Sequence, residues 1–358
     1  MKILFLNHPE ADYGGAFLYT GLCEIAGAEN VYDYPTKYSY HGVAHRYSTP
    51  SIENGFTTPF PWMKAYPFAW SADEQADATK QVDAVRRMLA AKEFDLIIVE
   101  SCRVIAMSSF MRFENEIRLS GAPVVLHDGE DGQHLCGSQI KQVRPALHLK
   151  RELSASNPAS MHGFAIKPFP FSFPVTDKTL GMMPQCLPEL AQTEWDVAFM
   201  CGSTFEIRER ITRLLLEEDV RRDLNVLLGS DNPSKFGDAR VENLAPWDQY
   251  MIKLTHSRSG ISARGYGYDT CRMWEVAIST LLITERLDLQ IPDPYVNDVH
   301  CLIFSSMDEL RKHLSDLADP EQDERFERLR MACLDHTMNH HTSTHRAASV
   351  LAHFGIGN

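Results

Sequence analysis

Residues 259–275 have the sequence SGISARGYGYDTCRMWE, in which a short apolar stretch leads into a Gly-x-Gly turn and then into a helical pattern. Asp269 or Thr270 can cap this helix, and Arg272 falls in its first turn. A helix that begins directly after a strand offers free backbone N–H groups to an anion. Because a phosphate would find both amides and a guanidinium here, the stretch predicts a phosphate-binding turn.

The same alternation of strand and helix extends over the chain. Helical patterns occur at residues 72–92 and 205–218, where apolar positions recur on one side and charges on the other. Short apolar runs occur at Ile3–Leu6, Leu96–Val99, Pro123–Leu126, Val197–Cys201, Val226–Leu228, Leu281–Thr284 and Cys301–Phe304. Such alternation requires parallel sheets that are covered on both faces. We therefore predict an α/β fold with two Rossmann-like domains.

The length of 358 residues also favours about two domains. Residues 167–174, KPFPFSFP, cannot be helical because three prolines remove donors and force extended backbone, and we interpret them as the interdomain crossing. The predicted domains are residues 1–170 and 171–340, with a C-terminal helix at 341–358 that is expected to pack back on the N-terminal domain. Residues 34–70 show little periodicity, which predicts a long ordered loop over the first domain.

The charge distribution argues against a nucleic-acid partner. The net charge is -13, of which -3 falls through Ser172 and -10 beyond it. A nucleic-acid binder usually has a basic stripe that neutralises phosphates, and the sequence has none. The apolar runs are far shorter than the roughly 20 residues of a membrane helix, and the N-terminal run is too short for a secretion signal. We expect no membrane span and a cytoplasmic protein.

The eight cysteines are far apart and form no C-x-x-C pair. Their spacing matches neither a zinc site nor a disulfide framework, so we expect reduced, mostly buried thiols. The histidines His336, His340, His341 and His345 form two pairs at helical spacing. No Asp or Glu follows them to complete a ligand set, so we expect partly exposed helix histidines and no metal.

Two further glycine turns follow predicted strands. Gly14 and Gly15 come after the first strand, and Gly202 and Ser203 come after the run at 197–201, with Arg208 in the helix that follows. Each turn can approach a ligand, or it can be a tight turn that needs only a positive φ. Neither has the spacing of a G-x-G-x-x-G dinucleotide motif or a P-loop, which disfavours NAD and ATPase functions.

Two groups of charged residues have both a functional and a structural interpretation. Arg272 and Glu275 share a helix face, so Arg272 could reach phosphates while Glu275 reaches a ribose, or the two could form an exposed pair. The turn at 127–132, HDGEDG, closes a predicted strand with three carboxylates that should perturb one another's titration. That turn suits a base, a sugar-hydroxyl binder or a cation ligand, or it is a solvated acidic turn.

The C-terminal motifs together resemble glycosyltransferases of the spore-maturation-protein, or CgeB-like, group of the GT-B class. The resemblance rests on W-D-x-Y at 247–250, serines at 259 and 262, G-x-G-x-D-T-x-R-x-W-E at 265–275, L-I-T at 282–284 and H-T-x-x-x-R at 341–346. It implies two Rossmann-like domains whose parallel sheets face each other across a cleft, with a nucleotide-sugar held by the C-terminal domain. It also implies that Arg272 and Glu275 lie at the donor site, with Glu275 near the ribose.

The resemblance extends to the N-terminal half, where Pro9 followed by Gly14 and Gly15 is similar to the glycine turn that approaches donor phosphates. One feature departs from the family. Many retaining members have two glutamates eight residues apart, whereas this chain has Glu275 and then Glu285 ten residues on. Retention or inversion at the sugar therefore stays open, as do the sugar, the nucleobase and the oligomeric state.

We predict a metal-independent glycosyltransferase without a cofactor. The predicted donor is a nucleotide-sugar, a UDP-sugar in particular, and the acceptor is a glycan, small molecule, protein or modified nucleobase. A non-catalytic nucleotide- or sugar-binding module and a DNA-base glycosyltransferase are the alternatives. The predicted catalytic residues are His8, Asp12 and Asp131. The predicted donor-binding residues are Gly14, Gly15, Gly202, Ser203, Arg208, Ser262, Gly265, Gly267, Asp269, Thr270, Arg272 and Glu275.

Overall fold

The computed structural model divides the chain into two compact units. It describes residues 1–8, 10, 12–49, 52–57, 60–182, 192–202, 205–227, 240–241 and 246–356. The N-terminal unit comprises Met1–Lys178 and Thr342–Asn358, and the C-terminal unit comprises Thr179–His341. Among the described residues, no helix is long and apolar enough to cross a membrane.

Strands and helices alternate through most of the described chain. The strands are β1 Ile3–Leu6, β2 Val31–Tyr34, β3 His45–Thr49, β4 Ile52–Thr57, β5 Leu96–Val99, β6 Val124–Asp128, β7 Leu147–Lys150, β8 Ser160–Met161, β9 Phe164–Pro168, β10 Trp195–Gly202, β11 Arg222–Leu227, β12 Arg240–Val241, β13 Ser257–Ser262, β14 Leu281–Glu285 and β15 Leu302–Phe304. The helices are α1 Tyr13–Ala26, α2 Ala72–Ala76, α3 Ala78–Ala90, α4 Val104–Arg112, α5 Glu114–Ser120, α6 Gly137–Val143, α7 Asp177–Met182, α8 Glu206–Glu217, α9 Trp247–Thr255, α10 Cys271–Ser279, α11 Met307–Ala318, α12 Asp323–His340 and α13 Ser343–His353.

The N-terminal unit is built on a seven-stranded sheet in the order β2-β1-β5-β6-β7-β9-β8. Its strands are parallel except for β8, which is antiparallel to β9. Leu4, Ile97 and Leu126 are fully buried on the sheet and form one core cluster with apolar side chains of the helices. Strand β1 lies between β2 and β5. The chain therefore passes from β1 to β2 on one side and then crosses to β5 on the other side, as in flavodoxin-like folds.

The C-terminal unit has a six-stranded, fully parallel sheet in the order β12-β11-β10-β13-β14-β15. Counted from its first strand, this is the Rossmann order 3-2-1-4-5-6. Val197, Ile261 and Ile283 are buried in its core against leucines of α8 and α11. The prediction of an α/β fold with two Rossmann-like domains is confirmed.

The division between the units falls after Lys178, eight residues beyond the predicted boundary. The proline-rich segment belongs to the N-terminal unit because its aromatic rings are buried there: Phe171 packs on Phe17, and Phe173 pairs with Thr342. Helix α13 is part of the same unit.

The helical pattern at 72–92 contains two helices, because Asp77 has extended backbone and caps α3 through the amides of Thr79 and Lys80. The region 34–70 contains the antiparallel hairpin β3–β4 and a short 3-10 helix, Tyr38–His41. The region 34–70 thus has more regular structure than the sequence pattern indicates.

The expectation that all eight cysteines are reduced is wrong for Cys102 and Cys136, which form a disulfide. These residues are 34 apart in sequence. They meet because Cys102 follows β5, while Cys136 precedes α6 after the neighbouring strand β6. The other cysteines that the structure describes are not in a disulfide: Cys23, Cys201, Cys271, Cys301 and Cys333.

Helix α13 packs against α1 at a glycine. A Cβ placed on Gly21 would overlap the backbone carbonyl of Ser343 and approach Ala347 Cβ to 2.8 Å. The absence of a side chain at position 21 therefore allows the C-terminal helix to lie directly on the N-terminal one.

We predict that Gly21→Ala lowers the free energy of unfolding by about 1–3 kcal/mol, because the helices must separate to admit the methyl group. Gly181→Ala is the control, since nothing lies within 4 Å of a Cβ at that exposed helical position. The control should change stability by less than about 0.5 kcal/mol or increase it. Urea unfolding of both variants measures the difference. Equal stabilities would contradict the close packing of α1 and α13.

Candidate active site

Most of the predicted donor-binding residues lie where the strand order of the C-terminal sheet reverses, between β10 and β13. Strands β10 and β13 are neighbours, and they end at Gly202 and Ser262. In open parallel sheets, ligands bind beyond the carboxyl ends of two such strands. The segments after both strands carry most of the predicted donor-binding residues. Ser203 lies outside the described residues.

The guanidinium of Arg208 joins the ends of these two strands. It donates hydrogen bonds to the backbone carbonyls of Gly202 at 3.0 Å, Ala263 at 3.1 Å and Arg264 at 2.9 Å. A Cβ on Gly265 would come within 2.8 Å of the same guanidinium. Burial lowers the pKa of Arg208, and the charge of Arg272 adds to this effect. Arg208 is therefore a positioning residue that fixes the glycine turn.

The turn that follows β13 is ordered by its own polar contacts. The amide of Gly265 donates to the carbonyl of Gly267 at 2.9 Å. Asp269 is buried and accepts a hydrogen bond from Trp274 Nε1 at 3.0 Å. The carboxylate of Asp269 thus binds the indole, and the turn is held against the first turn of α10.

The N-terminus of α10 can accept an anion. Its N-cap residue, Thr270, makes no side-chain capping hydrogen bond, and its hydroxyl instead lies 3.1 Å from Ser262 Oγ. The Nε atom of Arg272 is buried and has no hydrogen-bond partner. The positive end of the helix dipole and an unpartnered guanidinium nitrogen coincide at this end of the helix.

Glu275 binds a tryptophan and not its helical neighbour. Its Oε1 accepts a hydrogen bond from Trp247 Nε1 at 2.9 Å. Burial raises the pKa of Glu275, while Arg272, Trp247 and Tyr250 oppose the shift. Among the described residues no ion pair joins Arg272 to Glu275. The alternative of an exposed helix pair is therefore wrong.

A polar cavity of about 170 Å³ lies next to this turn, at the carboxyl ends of β14 and β15. Arg210, Arg264 and Arg286 line it together with Glu285 and apolar side chains. Arg264 Nε lies 3.2 Å from Glu285 Oε1. Burial raises the pKa of Glu285, and Arg264 opposes the shift. Glu285, the second glutamate considered from the sequence, is thus placed beside an arginine-rich cavity.

The N-terminal unit has a second polar cluster, at the ends of the neighbouring strands β1 and β5. Glu100 is fully buried and accepts hydrogen bonds from Lys37 Nζ at 3.0 Å, Tyr40 OH at 2.8 Å and the amide of His8. Burial raises the pKa of Glu100, with Lys37 opposing the shift and Asp12 adding to it. Burial, Arg103 and Lys37 lower the pKa of His8 to about 4, so His8 is neutral at neutral pH.

Asp12 caps α1, accepting from the amide of Gly15 at 3.1 Å. Burial disfavours its charge, but His127, Lys37 and the Gly15 amide outweigh burial and hold the pKa of Asp12 below its usual value. A Cβ on Gly14 would meet His127 at 2.7 Å, and one on Gly15 would overlap Glu100. Both glycines are buried and leave room for these two side chains.

His127 and Glu100 complete this cluster, and the sequence did not single them out for it. His127 is fully buried, its Nδ1 lies 2.8 Å from the carbonyl oxygen of Glu100, and its Nε2 has no hydrogen-bond partner. Burial lowers the pKa of His127, while Asp12 opposes the shift. Their positions in the sequence could have identified them, because Glu100 directly follows the apolar strand β5 and His127 lies at the end of the apolar strand β6.

The three carboxylates of the turn 127–132 each have a basic partner. Asp128 is buried 3.2 Å from Lys150 Nζ, Glu130 lies 2.6 Å from Arg103 Nε, and Asp131 pairs with Arg151. Burial disfavours the charge of Asp128, but His148 and Lys150 hold its pKa below the usual value. The expectation that these carboxylates mainly perturb one another is wrong. Asp131 is a half-exposed partner of Arg151.

A family model matches the C-terminal part of the chain. Residues 226–352 match the model of a family described as glycosyl transferase-like, and this range includes the turn after β13 and helix α10. No curated protein matches the chain. The family match begins after β10 and α8, so Gly202 and Arg208 lie outside it.

Solved structures of glycosyltransferases share the fold over 99% of this chain. A trehalose-6-phosphate structure from E. coli bound with UDP-2-fluoro glucose is 11% identical, with a TM-score of 0.55 and 99% of its chain covered. Sucrose-phosphate synthase from Thermosynechococcus elongatus is 11% identical, with a TM-score of 0.56 and 98% covered. Anabaena HepE in complex with UDP-glucose is 10% identical, with a TM-score of 0.53 and 99% covered. The fold is that of GT-B glycosyltransferases, and the predicted enzyme class is confirmed at the level of family domain and fold.

We predict that His8→Asn makes stability less dependent on pH. The pKa of His8 is about 4 in the native protein and about 6.5 when unfolded, so unfolding takes up a proton below about pH 6.5. Between pH 7.5 and pH 5 the wild type should lose about 1–2 kcal/mol more stability than the variant. Urea unfolding at both pH values measures this. The exposed His162→Asn is the control and should behave as the wild type; equal pH dependence in all three proteins would refute the assignment.

Proposed function

We propose that this protein transfers a glycosyl group from a nucleotide-sugar, a UDP-sugar in particular, to an acceptor hydroxyl. The observation that supports it most is the uncapped N-terminus of α10 beside the unpartnered Nε of Arg272. The HepE and E. coli structures were solved with UDP-glucose and UDP-2-fluoro glucose, which supports a UDP-sugar. The motif at 265–275 supports a place in the CgeB-like group.

The leaving diphosphate needs positive charge in the transition state. In this proposal, the amides of the first turn of α10 and the guanidinium of Arg272 supply it without a bound cation. Arg208 keeps the preceding loop in place through three carbonyls, and Gly265 and Gly267 let the backbone approach the phosphates. The charge that develops on the leaving oxygen is thus met by groups that are already oriented.

Glu275 is proposed to bind the ribose. A carboxylate accepts hydrogen bonds from two neighbouring hydroxyls, whereas the Trp247 indole occupies only its Oε1 among the described contacts. Trp247 and Tyr250, which both hydrogen-bond this carboxyl group, fix its rotamer, and its remaining lone pairs are proposed to accept from the ribose hydroxyls. This is the reason to expect a ribonucleotide rather than a deoxyribonucleotide.

The acceptor side is proposed to lie at the N-terminal cluster. The acceptor oxygen forms a bond to the anomeric carbon, the bond from that carbon to the diphosphate breaks, and the hydroxyl proton must pass to a base. Asp12 is half-buried, charged and adjacent to His127, and His8 is neutral, so each can take a proton. Asp12 is the preferred base because it is the more accessible of the two. Asp131 is a weaker candidate because Arg151 holds its carboxylate.

Turnover separates this proposal from a binding module that keeps the fold. An enzyme should slowly hydrolyse its cognate nucleotide-sugar without an acceptor, since water can replace the acceptor hydroxyl. A panel of UDP- and other nucleotide-sugars, with release of nucleoside diphosphate as the readout, tests it. Tight binding without release from any donor would identify a non-catalytic module.

We predict that Arg272→Ala weakens nucleoside diphosphate binding about tenfold to a hundredfold, because it removes a charge-assisted contact of about 1.5–3 kcal/mol. Arg328→Ala is the matched control, since Arg328 is exposed on α12 and pairs with Glu324. Calorimetric titration with UDP measures both. Wild-type affinity in Arg272→Ala would refute the diphosphate site.

We predict that Glu275→Gln weakens UDP binding but leaves binding of the deoxyribose analogue less affected, because the lost charge acts on ribose hydroxyls. The amide oxygen of glutamine can still accept from Trp247, so stability should change by less than about 1 kcal/mol. Titrations with both nucleotides give the ratio of their dissociation constants. An unchanged ratio would contradict the ribose role.

A further inference from the structure

The disulfide of the N-terminal unit is surrounded by metal-binding side chains. Cys102, Asp128, Cys136 and His148 each place a sulfur, oxygen or nitrogen atom so that all four atoms lie within 4.8 Å of one another. Cys102 follows β5, Asp128 ends β6, Cys136 precedes α6 and His148 lies in β7. Ligands of a tetrahedral zinc site are about 3.3–3.8 Å apart, given bond lengths of 2.0–2.3 Å. Small side-chain movements therefore bring this cluster to that geometry.

His148 supports a role for the cluster beyond the disulfide. It is fully buried, and neither ring nitrogen has a partner within normal hydrogen-bond distance, since Nε2 lies 3.6 Å from Asp128 Oδ2. An unsatisfied buried imidazole is costly, and a metal at Nε2 would satisfy one nitrogen. Asp128 Oδ2 also lies 3.3 Å from Cys136 Sγ, so three of the four side chains already meet at one carboxylate oxygen.

We propose that Cys102, Asp128, Cys136 and His148 bind one zinc ion when the Cys102–Cys136 disulfide is reduced. Two thiolates, one carboxylate and a neutral imidazole suit zinc, whereas magnesium and calcium prefer oxygen ligands alone. The charges also balance. Two thiolates and Asp128 contribute three negative charges, which the ion and the buried Lys150, 3.2 Å from Asp128, neutralise.

The two states differ by a balanced redox step. A dithiol reductant gives two electrons and two protons to the disulfide, which becomes two thiols, and the reductant becomes its own disulfide. Zinc binding then releases the two thiol protons. In the reverse direction, hydrogen peroxide takes two electrons from the thiolates, two protons complete two molecules of water, the S–S bond forms and the ion leaves.

Metal analysis of the full chain in its two redox states tests the proposal. The protein is treated with a phosphine reductant or left oxidised, incubated with zinc, freed of loosely bound metal and analysed by mass spectrometry. The expected result is one zinc per reduced chain and none per oxidised chain. Absence of zinc from the reduced chain, or a disulfide that resists reduction in the native protein, would overturn the proposal.

Variants identify the ligands. Replacing Cys102 and Cys136 together by serine should abolish zinc binding, and Asp128→Asn should weaken it. Replacing the buried free thiols Cys301 and Cys333 by serine is the control and should keep one zinc per chain. Cobalt in place of zinc should show tetrahedral ligand-field bands with thiolate charge transfer, and a six-coordinate spectrum would contradict the site.

Peroxide treatment of the zinc-loaded wild type needs no variant and supplies an independent check. A chromogenic chelator should detect one zinc ion released for every two thiols lost. Peptide mapping follows the thiols of Cys102 and Cys136. Zinc release without loss of these two thiols would contradict the proposal that the ion and the disulfide replace each other.

Discussion

The buried guanidinium of Arg208 holds together the part of the C-terminal sheet on which the proposed donor site depends. Its three hydrogen bonds join the end of β10 to the turn after β13. Backbone carbonyls at strand ends need donors when they are buried, and one planar cation satisfies three of them. The glycine turn is thereby fixed, and the helix that follows it starts without a side-chain cap and with Arg272 Nε unpartnered.

The two units differ at the N-terminus of a helix that follows a central strand. Both have a helix that begins after a central parallel strand, but Asp12 caps α1 with a negative charge, whereas Thr270 gives α10 no side-chain cap. A carboxylate at a helix N-terminus is stabilising and occupies the place where a phosphate would bind. This contrast supports the proposed donor site on the C-terminal unit.

Much of the fold follows from local pattern. The apolar runs at β1, β5 and β14 and the helix α8 were predictable because burial on both faces selects continuous apolar strands. Other elements were not. Strand β13 contains serines and an arginine although it is fully buried. Its hydroxyls find partners that only the fold supplies: Ser259 donates to the carbonyl of Asp196, and Ser257 donates to the carbonyl of Lys253. The helix boundary at Asp77 was also not predictable, since an N-cap residue within a helical pattern does not change its periodicity.

The donor turn was predictable because its residues are contiguous, and the glycines, Arg272 and Glu275 form one segment. The partner of Glu275, Trp247, lies 28 residues earlier and is brought near only by packing of α9 on α10. The cluster of His8, Glu100 and His127 depends on strand order in the same way. So does the meeting of Cys102 with Cys136, which no spacing rule for contiguous motifs can detect.

A crystal structure of the protein with UDP would test the proposed donor site directly. We expect the diphosphate at the N-terminus of α10, within hydrogen-bond distance of Arg272, and the ribose hydroxyls at Glu275. A diphosphate bound elsewhere, with Arg272 Nε still unpartnered and Glu275 without a ligand contact, would contradict it.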